Sequence, residues 1–200
     1  MDAAALIIFV RNPVLGKVKT RLAATIGNEK ALAVYKHLLQ YTRRITQNLS
    51  VTKFVFYADE INTDDLWNGY KKQLQSGNDL GERMKNAFEE LFLQGFNKIC
   101  IIGSDCYDLK EAIVKTAFEK LAEADVVIGP VTDGGYYLLG LKKVVAEFFI
   151  NKQWGTSGIF AETCKEAKLL QLSVSELPLL NDIDEEKDLP SSFQSGLITN

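Results

Sequence analysis

Four runs of apolar residues stand out along the chain and predict buried β-strands. They are ALIIFV (5–10), KFVFYA (53–58), KICIIGS (98–104) and DVVIGPV (125–131). Each run is nearly continuous, rather than alternating between apolar and polar residues, and each is rich in β-branched or aromatic side chains. This pattern is typical of strands that are covered on both faces, as in parallel sheets.

The segments between these runs have the spacing of amphipathic helices. From residue 27 to residue 49, apolar side chains recur every three or four positions, which predicts one face of a long helix. Residues 79–94 and 108–123 repeat the pattern, and Asp79 and Asp108 are placed to cap their first turns. Strands that alternate with helices of this length predict right-handed crossovers and a layered α/β fold with a largely parallel sheet.

The pattern changes in the last third of the chain. The elements predicted there are a turn and strand in DGGYYLLGL (133–141), an apolar patch VVAEFFI (144–150), a helix near 158–169 and a strand around 170–176. No repeat or linker interrupts the chain. We therefore predict one domain over residues 1–190, followed by a loose polar end over residues 191–200.

Composition and charge narrow the functional classes. The chain of 200 residues is 46% hydrophobic and 24% charged, with a net charge of −3, so we expect no nucleic-acid partner and only a local basic site. No apolar stretch approaches the roughly 20 residues of a membrane span, and the N-terminus does not have the pattern of a signal peptide. The three cysteines form no C-x-x-C pair, which favours the reducing cytoplasm.

A basic loop, RNPVLGKVKTRLA (11–23), directly follows the first predicted strand. Ligands of open α/β sheets bind beyond the carboxyl ends of the strands, where cations and backbone N–H groups can hold phosphate. The alternative is a solvated surface loop. The spacing is not that of a P-loop, so P-loop NTPase chemistry is not supported. The candidate phosphate-binding residues are Arg11, Gly16, Lys17, Lys19 and Arg21.

Carboxylates follow other predicted strands and suggest a divalent cation. Asp105 directly follows the third apolar run, in SDCYD. Asp182 and Asp184 alternate in NDIDEEKDL, which would place both on one side of an extended segment. Mg²⁺ or Mn²⁺ typically takes one or two carboxylates together with phosphate oxygens and water. The alternatives are a helix cap for Asp105 and a solvated acidic loop for the other two.

Two further groups are candidates for substrate contacts. The segment Asp133-Gly134-Gly135-Tyr136 is either a simple turn or a site where Asp133 accepts a hydrogen bond from a ligand hydroxyl and the glycines allow close approach. Arg83, in the first turn of a predicted helix, is either a surface residue or a ligand of an anion.

Several catalytic chemistries lack their residues. His37 is the single histidine and falls in mid-helix, so there is no H-E-x-x-H zinc motif. No G-x-S-x-G elbow is present. Cys106 has no histidine partner in sight and is a poor candidate for a nucleophile.

Six segments, in order and over about residues 5–189, resemble one known family. They are RNPVLGKVKTRLA, NDLGERM, IGSDCYDL, GPVTDGGYYLLGL, WGTSGIF and LPLLNDIDEEKDL. The chain resembles the bacterial glycosyltransferase-like family known as radical-SAM/selenodomain-associated transferases, which is related in fold to molybdenum-cofactor guanylyltransferases. The resemblance implies a GT-A-type nucleotide-diphospho-sugar transferase fold, with three α/β/α layers and a mixed, mostly parallel sheet.

The resemblance also implies roles for individual residues. The basic loop would face nucleotide phosphates, Asp105 would hold Mg²⁺ or Mn²⁺, Asp133 would lie near the sugar or the acceptor, and Asp182 and Asp184 would supply a second metal contact. We expect a cytoplasmic enzyme that transfers a sugar from a nucleotide sugar to an unknown acceptor and releases a nucleoside diphosphate. The alternatives are a nucleotidyltransferase that releases pyrophosphate and a non-catalytic nucleotide-binding module. Apolar segments such as VVAEFFI would support self-association into a homo-oligomer.

Overall fold

The computed structural model describes residues 3–191 and residue 193, and in them strands alternate with helices. The strands are β1 (Ala4–Val10), β2 (Thr52–Tyr57), β3 (Lys71–Leu74), β4 (Lys98–Ile102), β5 (Val126–Pro130), β6 (Tyr136–Leu141) and β7 (Val174–Glu176). The helices are α1 (Thr20–Ile26), α2 (Asn28–Thr46), α3 (Leu80–Leu93), α4 (Glu111–Glu123) and α5 (Ile159–Leu169), with short 3₁₀ turns at Ala146–Phe148 and Glu186–Asp188.

The strands of the described residues form one sheet in the order β3-β2-β1-β4-β6-β5-β7. Strand β6 runs antiparallel to β4 and β5, and the other neighbouring strands are parallel. The prediction of a mixed, mostly parallel sheet is confirmed. The carboxyl ends of β1, β4 and β5 and the start of β6 therefore lie at the same edge.

The two faces of the sheet are both covered, which explains the continuous apolar runs. On β1, Leu6 and Ile8 pack with residues of α2 and α4, whereas Ala5 and Ile7 pack with residues of α3 and α5. Because successive side chains of a strand point to opposite faces, a strand between two helix layers needs apolar residues at every position. The result is a three-layer α/β/α arrangement.

The structure adds one strand to the prediction and corrects one helix cap. Strand β3, with the sequence KKQL, was not predicted, because it is a polar edge strand that pairs with β2 alone. Helix α4 begins at Glu111 with Lys110 as its N-cap, so Asp108 is not the cap. Asp79, by contrast, accepts a hydrogen bond from the N–H of Glu82 and caps α3 as predicted.

The apolar patch VVAEFFI is mostly internal. Phe148 and Phe149 are buried among the side chains of the α3 face of the sheet, whereas Ile150 is exposed. The patch therefore fills the core rather than offering a continuous surface for self-association. Within the described residues, no helix is both long enough and apolar enough to cross a bilayer.

The predicted loose end over residues 191–200 lies outside the described residues, except for Ser191 and Phe193. Phe193 is buried and packs with Leu22 of α1, with residues of α2 and with Ile183. The acidic segment that precedes it is thereby held against the same edge of the sheet as the basic loop.

Candidate functional site

A cleft of about 740 Å³ opens at the edge where β1, β4 and β5 end. From β1 the chain first adds β2 and β3 on one side and then crosses back to add β4 on the other side of β1. Ligands of open α/β sheets bind at such a reversal of strand order. The loops after these three strands and the acidic segment near the C-terminus line it. The candidate residues that line the cleft are Arg11, Lys17, Lys19, Arg21, Arg83, Asp105, Asp133, Gly135, Tyr136, Asp182 and Asp184.

The start of the basic loop is fixed by hydrogen bonds to its backbone. The hydroxyl of Tyr35 accepts from the N–H of Arg11 at 2.8 Å and donates to its carbonyl at 3.1 Å. Burial raises the pKa of Tyr35 to about 12. Gly16 has a φ of 75° in the turn that follows and lies outside the cleft lining, so its role is to shape the loop.

Lys19 is the most constrained cation of the loop. Its side chain is only 6% exposed, and its Nζ lies 2.9 Å from Oδ1 of Asp105 and 3.1 Å from Oδ1 of Asp184. Burial lowers its pKa, but the two carboxylates raise it by more, so the ammonium form is favoured. Its backbone is left-handed, with a φ of 48°, which is uncommon outside glycine.

Arg21 and Lys17 differ from Lys19 in their partners. Nη2 of Arg21 lies 2.5 Å from Oδ2 of Asp184, with 65% of the arginine side chain exposed. Lys17 is exposed and pairs with no carboxylate of the described residues. The loop thus brings its cations to one cleft, but two of them, Lys19 and Arg21, are bound to carboxylates.

Asp182 has one oxygen without a partner. Its Oδ1 is buried, and no donor of the described residues reaches it. Burial, followed by the charge of Asp105, raises its pKa to about 7. Ile183, between the two aspartates, is buried against α1 and α2, so Asp182 and Asp184 both line the cleft, as their alternation predicts.

Backbone contacts hold the acidic segment against the loop after β4. The N–H of Ile183 donates to the carbonyl of Asp105 at 3.0 Å. The Sγ of Cys106 lies 3.4 Å from the carbonyl of Asn181, and Thr132 hydrogen-bonds the Asn181 side chain. Burial, then the charge of Asp182, raises the pKa of Cys106, so this thiol is a packing group rather than a nucleophile.

The turn after β5 joins the cleft to the loop before α5. Oδ1 of Asp133 accepts from the N–H of Gly135 at 2.9 Å, while the carboxylate stays exposed at the cleft. Gly134 has a φ of 90°, and a Cβ there would lie 2.0 Å from the carbonyl oxygen of Ser157. Gly134 therefore packs against that loop and does not line the cleft. The Tyr136 hydroxyl is buried, and burial together with Glu166 raises its pKa.

Sequence reasoning missed one wall of the cleft and left Trp154 unassigned. Trp154 lines the cleft and packs on Gly81 in the first turn of α3, where a Cβ would lie 2.6 Å from the indole nitrogen. Arg83 lies in the same helix and donates from Nε to the carbonyl of Gly77 at 3.1 Å. The glycine inside the predicted helix, in NDLGERM, was the available signal for such a close contact.

Gln75, after the missed strand β3, completes that wall. Its side-chain amide donates to the carbonyls of Val10 and Phe56, at 3.2 Å and 2.9 Å, and so ties together the ends of β1 and β2. The other residues of this wall that sequence reasoning did not select are Asn78, Asp79, Leu80, Met84, Gly155 and Thr156.

The carboxylates fit a divalent cation only in part. No three histidine, cysteine, aspartate or glutamate side chains of the described residues form a group that could hold a metal ion by themselves. Asp105 and Asp182 nevertheless offer two carboxylates in a cleft large enough for a phosphate-bearing ligand, and one Asp182 oxygen is buried with no donor among the described residues. Two carboxylates completed by phosphate oxygens and water are an ordinary Mg²⁺ site. Asp184 is already engaged by Lys19 and Arg21.

Comparisons with known proteins bear on this cleft. A family model described as "Uncharacterized protein conserved in bacteria (DUF2064)" matches residues 41–156. A crystal structure from Desulfovibrio desulfuricans, named provisionally as a nucleotide-diphospho-sugar transferase, is 31% identical in sequence to this chain. The match covers 97% of this chain and 91% of the Desulfovibrio chain, with a TM-score of 0.86. No curated protein sequence matches the chain.

Two more distant structures share the fold alone. The inositol-1-phosphate CTP transferase from T. maritima is 13% identical, with 98% of this chain and 97% of that chain covered and a TM-score of 0.58. Rv0371C from Mycobacterium tuberculosis, in complex with manganese, is 11% identical, with 94% and 96% covered and a TM-score of 0.54. The likeness to the Desulfovibrio desulfuricans structure thus identifies the fold as nucleotide-diphospho-sugar transferase-like.

Proposed function

The chain belongs to the DUF2064 family, and from that premise we propose that it is a metal-dependent transferase that uses a nucleotide-activated donor. The buried Oδ1 of Asp182, which no donor of the described residues reaches, supports this proposal best. Asp105 is close enough for its charge to act on Asp182, and four loop cations line the same cleft. A carboxylate oxygen without a donor is costly unless a cation or a proton reaches it. The narrower assignment to the radical-SAM/selenodomain-associated transferases is part of the same proposal.

Asp105 and Asp182 would hold Mg²⁺ or Mn²⁺, the latter being the ion in the Rv0371C complex. The bound ion would neutralise charge on the diphosphate of the leaving group. Arg11, Lys17 and Arg21 would bind phosphate oxygens, since all three line the cleft. Chemistry of this kind needs positioning and electrostatic stabilisation rather than a side-chain nucleophile.

The acceptor side of the cleft would be the wall formed by Asp133, Gly135, Tyr136 and Trp154. Because one Asp133 oxygen is bound by the Gly135 N–H, the other is available to accept a hydrogen bond from a sugar or acceptor hydroxyl. Arg83 would contact an anionic part of the ligand from α3. We expect sugar transfer with release of a nucleoside diphosphate.

Nucleotidyl transfer is the second candidate, and one comparison favours it. The fold is shared with an inositol-1-phosphate CTP transferase, which by its name transfers from CTP. In that reaction a phosphate of the acceptor would attack the α-phosphate, and pyrophosphate would leave. Identification of the released product, nucleoside diphosphate or pyrophosphate, separates the two reactions.

A thermal-shift panel of nucleoside triphosphates and nucleotide sugars, each with and without Mn²⁺, is the first experiment. We expect stabilisation by one nucleotide class that disappears on addition of a chelator. Stabilisation without turnover of any donor and acceptor pair would indicate a binding module instead. If no nucleotide stabilises the protein in the presence of Mn²⁺, the proposal is wrong.

Asp105→Asn tests the metal assignment. We expect a loss of turnover on the order of a hundredfold or more, by analogy with the loss of one well-placed charge contact at a reacting centre. Asp108→Asn is the matched control, because Asp108 follows in the same loop, is exposed and does not line the cleft. Equal rates for the two variants would contradict the assignment.

A cytoplasmic location belongs to the same proposal. Its support is that Cys100, Cys106 and Cys164 are all free thiols, of which the first two are buried. Cell fractionation with an antibody to the protein tests it, and recovery in a membrane or secreted fraction would contradict it.

A further inference from the structure

Lys19 occupies a position that its neighbours in the basic loop do not share. Its ammonium lies between Asp105 and Asp184, within 3.1 Å of both, and its side chain is almost fully buried. Lys17, two residues earlier, is exposed and contacts neither carboxylate. The left-handed backbone of Lys19 turns its side chain toward the acidic pair, and such a conformation persists only where surrounding contacts hold it.

The position of the Lys19 ammonium conflicts with a cation on Asp105. The role of Lys19 inferred from this conflict rests on the proposed function. Asp105 is one of the two carboxylates that would hold the cation, and the Lys19 ammonium already lies 2.9 Å from its Oδ1. A divalent ion on Asp105 and an ammonium on the same carboxylate would be two like charges at close range. Asp182 brings no donor that could take the place of Lys19 on Asp105, and no donor of the described residues reaches its own Oδ1.

Nucleotide phosphates would resolve the conflict. They bring several negative charges into the cleft, and a lysine ammonium is a common ligand of phosphate oxygens. Arg21 would keep Asp184 neutralised after Lys19 has left it, because it already contacts the other oxygen of that carboxylate. Asp105 and Asp182 would then be free for the cation.

We propose that Lys19 is an internal competitor of the divalent cation, which leaves Asp105 for a phosphate oxygen when a nucleotide enters the cleft. The free protein therefore binds the metal weakly, and metal and nucleotide bind cooperatively. Until the substrate arrives, Lys19 holds Asp105 and Asp184 together and offsets part of their charge.

The test is a titration with Mn²⁺ alone, without nucleotide, followed by electron paramagnetic resonance of the free ion. We expect Lys19→Met to bind Mn²⁺ more tightly than wild type on the order of tenfold, within the range usual for coupling between two sites. Lys19→Gln, which keeps a donor for Asp105, provides a second neutral variant if the methionine protein does not fold. Lys19→Arg keeps the charge and should bind Mn²⁺ as weakly as wild type.

Lys17→Met is the matched control, since it removes the same charge from the cleft without touching Asp105 or Asp184. We expect its Mn²⁺ affinity to remain close to that of wild type. If a folded neutral variant of Lys19 binds Mn²⁺ no more tightly than wild type, or if Lys17→Met gains as much, the inference is overturned. If the inference about Lys19 fails but a nucleotide stabilises wild type only in the presence of Mn²⁺, the proposed function still stands. If no nucleotide stabilises wild type with Mn²⁺, the proposed function is overturned as well.

Discussion

Lys19 and Asp182 are two buried charged groups of the same cleft with opposite surroundings. Lys19 has two carboxylate partners, which raise its pKa against the effect of burial. Asp182 has an oxygen with no donor among the described residues, and burial raises its pKa to about 7. The charge of Lys19 is balanced by the protein, whereas one Asp182 oxygen has no donor among the described residues. A bound cation would therefore gain the most favourable new contact at Asp182.

Gly134 shows the same dependence on single contacts in the backbone. A Cβ at this position would lie 2.0 Å from the Ser157 carbonyl oxygen, and its φ of 90° disfavours any other residue. We expect Gly134→Ala to lower the free energy of unfolding by about 2–4 kcal/mol, since overlap with backbone adds to the strain of a positive φ. Urea denaturation measures the change.

Gly155→Ala separates the two causes. Gly155 also has a positive φ, of 81°, but a Cβ there would meet nothing within 4 Å. Its substitution should therefore cost only the backbone strain, on the order of 1 kcal/mol. Equal losses in the two variants would mean that the contact with Ser157 contributes nothing.

At the scale of elements, helix α3 combines a structural and a functional face. Asp79 caps it, and the buried residues Met84, Phe88 and Leu91 recur at helical spacing against the sheet. Gly81, in its first turn, allows Trp154 to lie directly on the helix and form a wall of the cleft. The same helix thus anchors the core and supports the proposed acceptor side.

Phe88→Ala tests how much of the stability depends on the buried face of α3. Phe88 is fully buried and contacts Phe92 and Phe149, so its truncation leaves a large cavity. We expect a loss of about 3–5 kcal/mol in the free energy of unfolding by urea denaturation. Leu93→Ala, on the same helix but with 88% of the leucine exposed, should change it by no more than about 0.5 kcal/mol. Similar losses for both variants would contradict this orientation of α3.

At the scale of the whole molecule, the cleft depends on a segment that returns from the end of the chain. Ile183 and Phe193 pack against α1 and α2, and this contact carries Asp182 and Asp184 to the carboxyl edge of the sheet. The rings of His37 in α2 and Phe193 pack edge to face, with centroids 4.7 Å apart, and the His37 ring also contacts Tyr107.

This contact makes stability depend on pH in a defined direction. Burial, and then the charge of Arg44, lowers the pKa of His37. The folded protein thus binds fewer protons than the unfolded chain below the ordinary histidine pKa of about 6.5, and His37 destabilises the fold as the pH falls through that value. We expect wild type to lose more stability between pH 7.5 and pH 5.5 than His37→Gln does, as measured by urea denaturation at both pH values.

Wild type and His37→Gln have the same carboxylates, so carboxylate titration contributes equally to both, and no other histidine titrates because His37 is the single one of the chain. An identical loss in wild type and His37→Gln would show that the ring is as easily protonated in the folded state as in the unfolded one. The packing of His37 against Phe193 would then be too loose to affect its charge.

The local pattern was a reliable guide where one element is buried on a regular face. The four apolar runs became β1, β2, β4 and β5, and Asp79 caps α3 as expected. The local sequence pattern failed where an element depends on a neighbouring element for its stability. Strand β3 has no apolar signature and exists because β2 offers it hydrogen bonds. Helix α4 begins at Glu111, three residues after Asp108, with Lys110 rather than Asp108 as its N-cap.

The sequence by itself determined the layered α/β fold and the ring of charged loops at one edge, because burial on both faces and strand direction leave a repeating pattern along the chain. Only the tertiary structure decided which charges meet. Lys19 and Asp184 are 165 residues apart, and their contact depends on strand order and on the docking of Ile183 and Phe193. A linear pattern records the periodicity of each element, but it contains no measure of the distance between side chains that separate elements bring together.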